Sequence, residues 1–267
     1  MGKGDKIILN HYEKLAKSFG EGPHCTMQDQ VIRQNEIRFF SQEIDRFCKL
    51  NGRALKVLDV GCGNGYLLDV LEKSFPESSF GGIEFSPHLF EIAKNRGLER
   101  AVVKKGDCRE KNFWPNKVDL IITERVIINL LSWEEQFQAF LNIADLLHEG
   151  GLYLMSESFR TPWVQLNKGR KEMLMEEIPI SPHNRYLSDK LGSVLDRIGL
   201  EEIDGLWPSN YLSTHFYLSR IFSGAVKPKG GVGKNTLFLE FFNEALPPGV
   251  GNFSPILFRV FKKVAKS

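Results

Sequence analysis

A chain of 267 residues with 42% hydrophobic content can bury one sizeable core, and its formal charge of +2, with lysines and arginines scattered among acids, supplies no general attraction for nucleic acid. The cysteines Cys25, Cys48, Cys62 and Cys108 show neither a Cys-x-x-Cys pair nor a disulfide framework, and no metal-ligand spacing stands out. No apolar run of signal-peptide or membrane-spanning length occurs, so a cytoplasmic protein without membrane, nucleic-acid or metal partners is expected.

Residues 1–50 read as an N-terminal helical segment ahead of the first strand signal. That signal, VLDVGCGNGY from Val57 to Tyr66, is an apolar run that breaks into Gly61, Gly63 and Gly65. It predicts a buried parallel strand followed by a turn whose backbone approaches a nucleotide-type ligand closely. A dinucleotide site wants its third glycine where this chain has Tyr66. Asp59, just ahead of the glycines, would repel a phosphate but attract the ammonium of an amino acid.

FGGIEF predicts a second strand ending in Glu84, with Phe85 beside it, where an acid can accept both hydroxyl hydrogens of a ribose. Ser86 as N-cap, Pro87 in the first turn and Gly97 at the exit frame the next helix. AVVKKGDC, 101–108, reads as the third strand and VDLIITERVIINL, 118–130, as the fourth strand with its loop. A capping box of Ser132 and Glu135 opens a helix that the glycines at 150 and 151 should close, and GLYLMSES, 151–158, follows as the fifth strand.

Taken together, these segments resemble class I S-adenosylmethionine (SAM) methyltransferases of the small-molecule type. The resemblance implies an α/β fold: a Rossmann-like seven-stranded sheet with an antiparallel seventh strand and helical lid insertions. SAM becomes the expected cofactor. Its implied ligands are Asp59, Gly61, Cys62, Gly63, Glu84, Phe85, Asp107 (resembling the acid that accepts from the adenine amino group), Cys108 through its amide, and Glu124 in the fourth-strand motif. Residues 1–50 become a lid over residues 51–158, the SAM-binding core. In that lid Tyr12 closes over the methionine side, and Arg33 pairs with the cofactor carboxylate.

The resemblance also orders the rest of the chain. LSDKLGSVLDRIGL and LEEIDGLW, within 187–207, supply a core helix and the sixth strand, and SPILFRVFKKV, within 254–267, the seventh. The insertions 159–186 and 208–253 overhang the crevice at the carboxyl ends of the strands and are expected to form the acceptor pocket. His183 and His215 are the candidate general bases, and Asn129, Asn184, Tyr211 and Tyr217 the candidate acceptor contacts. Asn129 stands where many relatives have a histidine, and an asparagine cannot take a proton.

The expected reaction is methyl transfer to an O or N nucleophile of a small metabolite. Its HN-aromatic insertion and FSPILFRVFKK ending resemble sugar- and polysaccharide-tailoring enzymes, which puts a sugar among the expected acceptors. A protein or lipid acceptor, or a SAM-binding regulator without catalysis, are the alternatives. KGGVGKNT, 229–236, resembles a deviant phosphate loop, but Asn235 stands at the magnesium-binding hydroxyl position and Lys227 and Pro228 precede it, so an insertion loop is expected.

Overall fold

In the computed structural model, which describes residues 2–226 and 235–265, a single seven-stranded sheet has the order β3-β2-β1-β4-β5-β7-β6. Most of the phosphate-loop lookalike lies outside the described residues. Two N-terminal helices, α1 (Lys3–Phe19) and α2 (Gln30–Asn51), precede the sheet. Asp29 caps α2 by accepting from the Ile32 amide, and Gly52 ends it in the left-handed conformation. The core follows as β1 (Lys56–Val60), α3 (Tyr66–Ser74), β2 (Ser79–Glu84), α4 (Pro87–Asn95), β3 (Ala101–Lys105), β4 (Val118–Glu124), α5 (Trp133–Leu146) and β5 (Leu147–Ser158).

Strands β1 to β5 pair in parallel, and β7 (Ile256–Lys263) runs antiparallel between β5 and β6 (Leu200–Ile203). This is the expected Rossmann-like sheet with its reversed seventh strand. Apolar residues alternate to both faces of the central strands: Leu58, Val60, Ile121 and Tyr153 pack in one core layer, and Val57, Leu120, Ile122 and Leu154 in the other. The helices cover both layers, so the ends of the central strands are the open part of the sheet.

Ser86 and Ser132 cap α4 and α5 as expected, the latter with Glu135 in a capping box. Several boundaries move. The glycines do not close α5, which stops at Leu146; the fifth strand takes over at Leu147, whose side chain is fully buried, and runs through Gly150 at φ +78°. The third strand stops at Lys105, after the Gly106 amide makes a last ladder bond to the Glu84 carbonyl. The helix expected from Leu187 shrinks to α7 (Leu191–Asp196), since Leu187 is held in a bridge to Phe159 and Gly199 turns left-handed.

After β5, α6 (Arg160–Glu172) opens the first insertion. The second holds α8 (Ser213–Tyr217), a π-turn over Leu218–Phe222, α9 (Ser223–Val226) and α10 (Leu237–Ala245). Phe216 and Leu218 are buried there as ordinary packing.

Candidate active site

The strand order reverses between β1 and β4, and a crevice opens at the carboxyl ends of strands at such a point. It is a cleft of about 960 Å³, mouth included, with walls from the glycine turn, the ends of β2 and β4, and α1. Gly61 and Gly63 adopt φ +75° and +57°, and the Gly61 and Cys62 amides both donate to the Ile83 carbonyl, at 2.8 and 2.9 Å. A Cβ at Gly61 would collide with Val126, whereas one at Gly63 would meet only Thr26 Cγ2, at 3.4 Å. The first glycine therefore lets β1 pass the β4 loop, and the second keeps the cleft floor free of side chain.

Glu84 is buried at the end of β2. Its oxygens accept the Gly63 amide at 2.8 Å and the Ser86 amide at 2.7 Å, so the acid ties the glycine turn to the N-terminus of α4. Burial lifts its carboxyl to about 7 against the lowering effect of the Ser86, Gly63 and Phe85 amides. Phe85 forms the adjoining wall, with the Arg109 guanidinium 5.3 Å from its ring centre. Cys108 lines the same side, and burial pushes its thiol to about 12.

Arg109 is held by Asp107 at 2.6 Å, by Glu135 at 2.6 Å and by Asp5 of α1 at 2.9 Å. These bonds, with Asp107 the strongest, raise its pKa and fasten α1 to the core. Asp107, expected to meet adenine, thus has both oxygens engaged by Arg109 already while still lining the cleft.

At the opposite end a buried charge network underlies the cleft. Glu124 pairs with Arg33 and, at 2.6 Å, with Arg125; Arg125 also pairs with Glu36, which accepts from the Ser156 hydroxyl at 2.8 Å. Burial raises the Glu124 carboxyl, but the two arginines more than offset it and hold its pKa below the usual value. Asp59 lies among these groups, and burial together with the Glu124 charge pushes its carboxyl well above the carboxylate range. Arg33 Nε and Glu36 Oε2 are buried without partners among the described residues. Arg33 lies 5.4 Å from the Tyr66 ring centre, so the residue that broke the dinucleotide pattern supports the arginine.

Beyond β4, Arg125 takes φ +57° and the chain turns through Ile127–Asn129. Glu157 accepts the amides of Val126, Ile127 and Ile128 at 2.8, 3.0 and 3.2 Å, and burial lifts its carboxyl to about 7. Asn129 and Tyr12 meet over the cleft, the asparagine Nδ2 donating to the tyrosine oxygen at 2.6 Å.

The remaining expected residues lie elsewhere. His215 does not line this cleft: it is buried, its Nε2 3.0 Å from both oxygens of Asp29 and its Nδ1 3.0 Å from Asn243. Arg220 completes that cluster at 2.7 Å from Asp29. Tyr211 stacks on Trp207 at 3.9 Å, and Tyr217 lies 5.0 Å from Phe253 on the outer side of α8. Both belong to the second insertion and neither lines this cleft; Tyr211 borders a separate cavity with His215, and Tyr217 another. His183 stacks on His11 of α1 at 3.6 Å, and burial with the nearby His11 charge lowers its pKa to about 4. Asn184 sits beside it, and the Arg185 amide donates to the Ile128 carbonyl at 2.6 Å. The 181–187 loop therefore buttresses the β4 turn and the lid from outside.

Asp5, Glu36, Arg109, Arg125 and Glu157 were not singled out in the sequence. Arg125 had a signal, since a strand-end charged pair with Glu124 at the reversal point is unusual; Glu36 and Asp5 had none beyond helical spacing.

The fold and cleft together define a class: the protein has the fold of the class I SAM-dependent methyltransferases. Residues 57–151 match the model of a methyltransferase domain. This part of the chain is thus similar to methyltransferase domains, a type that uses SAM as methyl donor. Over 119 residues the chain is 33% identical to a malonyl-[acyl-carrier protein] O-methyltransferase of Priestia megaterium, covering 44% of this chain and 39% of that protein. It is 24% identical over 241 residues to the protein of the same name from Acetivibrio thermocellus, covering 86% of this chain and 80% of that protein. The magnesium protoporphyrin IX methyltransferase of Synechocystis PCC 6803, solved with bound S-adenosylhomocysteine (SAH), superposes with a TM-score of 0.59 at 13% identity, over 97% of this chain and 99% of that one. The chain thus spans well under two thirds of the length of the first of these relatives. No described helix is long and apolar enough to cross a membrane.

Proposed function

We propose that the protein transfers the methyl group of SAM to an O or N nucleophile of a small metabolite. The observation that carries this reading is the juxtaposition of two groups in one cleft wall: Arg33 Nε, buried without a partner among the described residues, and the buried carboxyl of Asp59. An amino-acid end bearing a carboxylate and an ammonium answers both, and Glu84 across the glycine turn answers a ribose.

SAM supplies a carbon activated by its positive sulfur, so the protein is required mainly to align the nucleophile and to exclude water. Alignment falls to Asp59, Arg33 and Glu84 on the cofactor side and to the Tyr12–Asn129 pair on the acceptor side. Exclusion of water falls to α1, pinned by Asp5 to Arg109. Among the described residues no histidine lines the cleft, and its acids are either paired with arginines (Asp5, Asp107, Glu124) or assigned to the cofactor (Asp59, Glu84), which favours an acceptor that attacks through its own lone pair, an amine or a carboxylate, over a sugar hydroxyl that needs a base. His183 acts in this scheme by holding the lid. An acceptor tethered to a carrier protein is the second reading, supported by the names of the similar malonyl-[acyl-carrier protein] enzymes.

Incubation with methyl-tritiated SAM and a deproteinised metabolite extract should place label in the small-molecule fraction. Label confined to added protein would support the tethered acceptor, and no transfer with either would contradict the proposal.

A further inference from the structure

One polar atom in the cleft wall is left over by everything described so far. The Asn129 side chain donates through Nδ2 to the Tyr12 hydroxyl at 2.6 Å and to the Arg125 carbonyl at 2.9 Å. The Arg125 carbonyl can only accept, so the amide is fixed with its nitrogen on that side and cannot be exchanged end for end. Its Oδ1 is buried and has no hydrogen-bond partner among the described residues. A buried acceptor left unpaired costs about 1–3 kcal/mol, a penalty that a ligand bringing a donor removes.

The position of this oxygen restricts the donor. Asn129 follows β4, next to β1 with its Asp59, and on the opposite flank of the cleft from Asp107 and Phe85 at the β2 and β3 ends. Asp59 and Arg33 take the amino-acid end of the cofactor in the reading above, which puts Asn129 beside the reacting carbon and away from the adenine. Burial lifts the Tyr12 phenol to about 12, so Tyr12 stays protonated, accepts from Asn129 and keeps the amide oriented at any working pH. It also joins α1 to the β4 turn, so α1 adds a second hold on the amide beside the Arg125 carbonyl.

We propose that Asn129 Oδ1 is the acceptor-binding group of this enzyme and that it selects an amine, holding one N–H of the nucleophile while the nitrogen lone pair faces the methyl group. This rests on the methyltransferase reading of the cleft. In the transfer, the nitrogen lone pair forms the N–C bond as the C–S bond breaks, its electrons leave on sulfur, and the product ammonium gives a proton to water. A carboxylate offers no hydrogen to Oδ1 and would face its partial negative charge. A hydroxyl would spend its single hydrogen on Oδ1, an amide oxygen too weakly basic to take that proton as the O–C bond forms.

The test needs no knowledge of the natural acceptor. Sinefungin carries an amine-bearing carbon in place of the methylated sulfur, so it presents N–H donors at the point of transfer, whereas SAH presents none. Calorimetric titration of both into the wild type should show sinefungin bound more tightly than SAH. Asn129→Leu should lower sinefungin affinity at least tenfold relative to SAH, and Asn129→Asp, which keeps an acceptor oxygen, should retain the preference. Equal change in both ligands with Asn129→Leu, or loss of the preference in Asn129→Asp with a normal melting curve, would overturn the assignment. Failure of the wild type to bind either ligand would overturn the methyltransferase reading beneath it, a distinguishable result.

Discussion

Replacing Glu84 by glutamine separates the two tasks assigned to this residue. Its two oxygens each hold a backbone amide, Gly63 at 2.8 Å and Ser86 at 2.7 Å. A glutamine keeps one acceptor oxygen, so one buried N–H faces an NH₂ group and is left unsatisfied, at a cost of about 1–3 kcal/mol. Part of that is returned, because the neutral side chain avoids the burial that holds the carboxyl at about 7. The net stability loss should stay under about 2 kcal/mol, read as a modest fall in melting temperature. Cofactor affinity should suffer more. A ribose hydroxyl bonded to a charged acceptor contributes about 1.5–3 kcal/mol, so SAH should bind roughly ten- to a hundredfold more weakly to Glu84→Gln. The assay is calorimetric titration of SAH into wild type and variant at pH 8, with thermal melts as the folding control. Affinity within twofold of the wild type, in a variant that melts normally, would refute the ribose assignment.

SAH affinity should depend on pH through the same carboxyl: the ribose needs Glu84 as carboxylate, so binding should be level above about pH 8 and weaken as pH falls through about 7, and a flat titration profile from pH 5.5 to 8.5 would contradict this. Asp29→Asn should destabilise the protein by about 3–5 kcal/mol in chemical denaturation at pH 7, because it leaves Arg220 without its buried counter-charge and His215 without a charged hydrogen-bond partner. Burial raises the Asp29 pKa, but those partners hold it well below the usual range, so its contribution is present above about pH 4 and is lost as pH falls further. His183→Ala should remove the His11 stack, worth about 0.5–1.5 kcal/mol of stability, and leave SAH affinity within about twofold. A strong loss of SAH binding would place His183 in the cofactor site.

The sheet and the cofactor side of the cleft were legible because their signals are local. Val57 to Gly65, Phe80 to Glu84 and Ser86 to Gly97 each combine a strand or helix period with the residue that ends it, and the structure places these segments as read. Asp59, Gly61, Gly63 and Glu84 line the cleft from the carboxyl end of β1, the turn after it and the carboxyl end of β2. The Tyr12–Asn129 side of the cleft was less legible because it is assembled across the chain. Asn129 finds its partner 117 positions away in Tyr12, and Arg125 finds Glu36 89 positions away. Neither distance leaves a periodicity to read. His215 lies away from this cleft for a physical reason: a histidine among aromatics suits a pocket equally with a buried hydrogen bond to an acid, and its partner, Asp29, is 186 positions away.

The central claim is that this cleft holds SAM, with its nucleoside between the glycine turn and Glu84 and its amino-acid end toward Asp59 and Arg33. A crystal structure of the complex with SAH tests it most directly. The account predicts ribose hydroxyls on the Glu84 carboxylate and the homocysteine end beside Arg33, with Tyr12 and Asn129 facing the sulfur. A ligand bound elsewhere, or lying with its adenine toward Asp59, would contradict it.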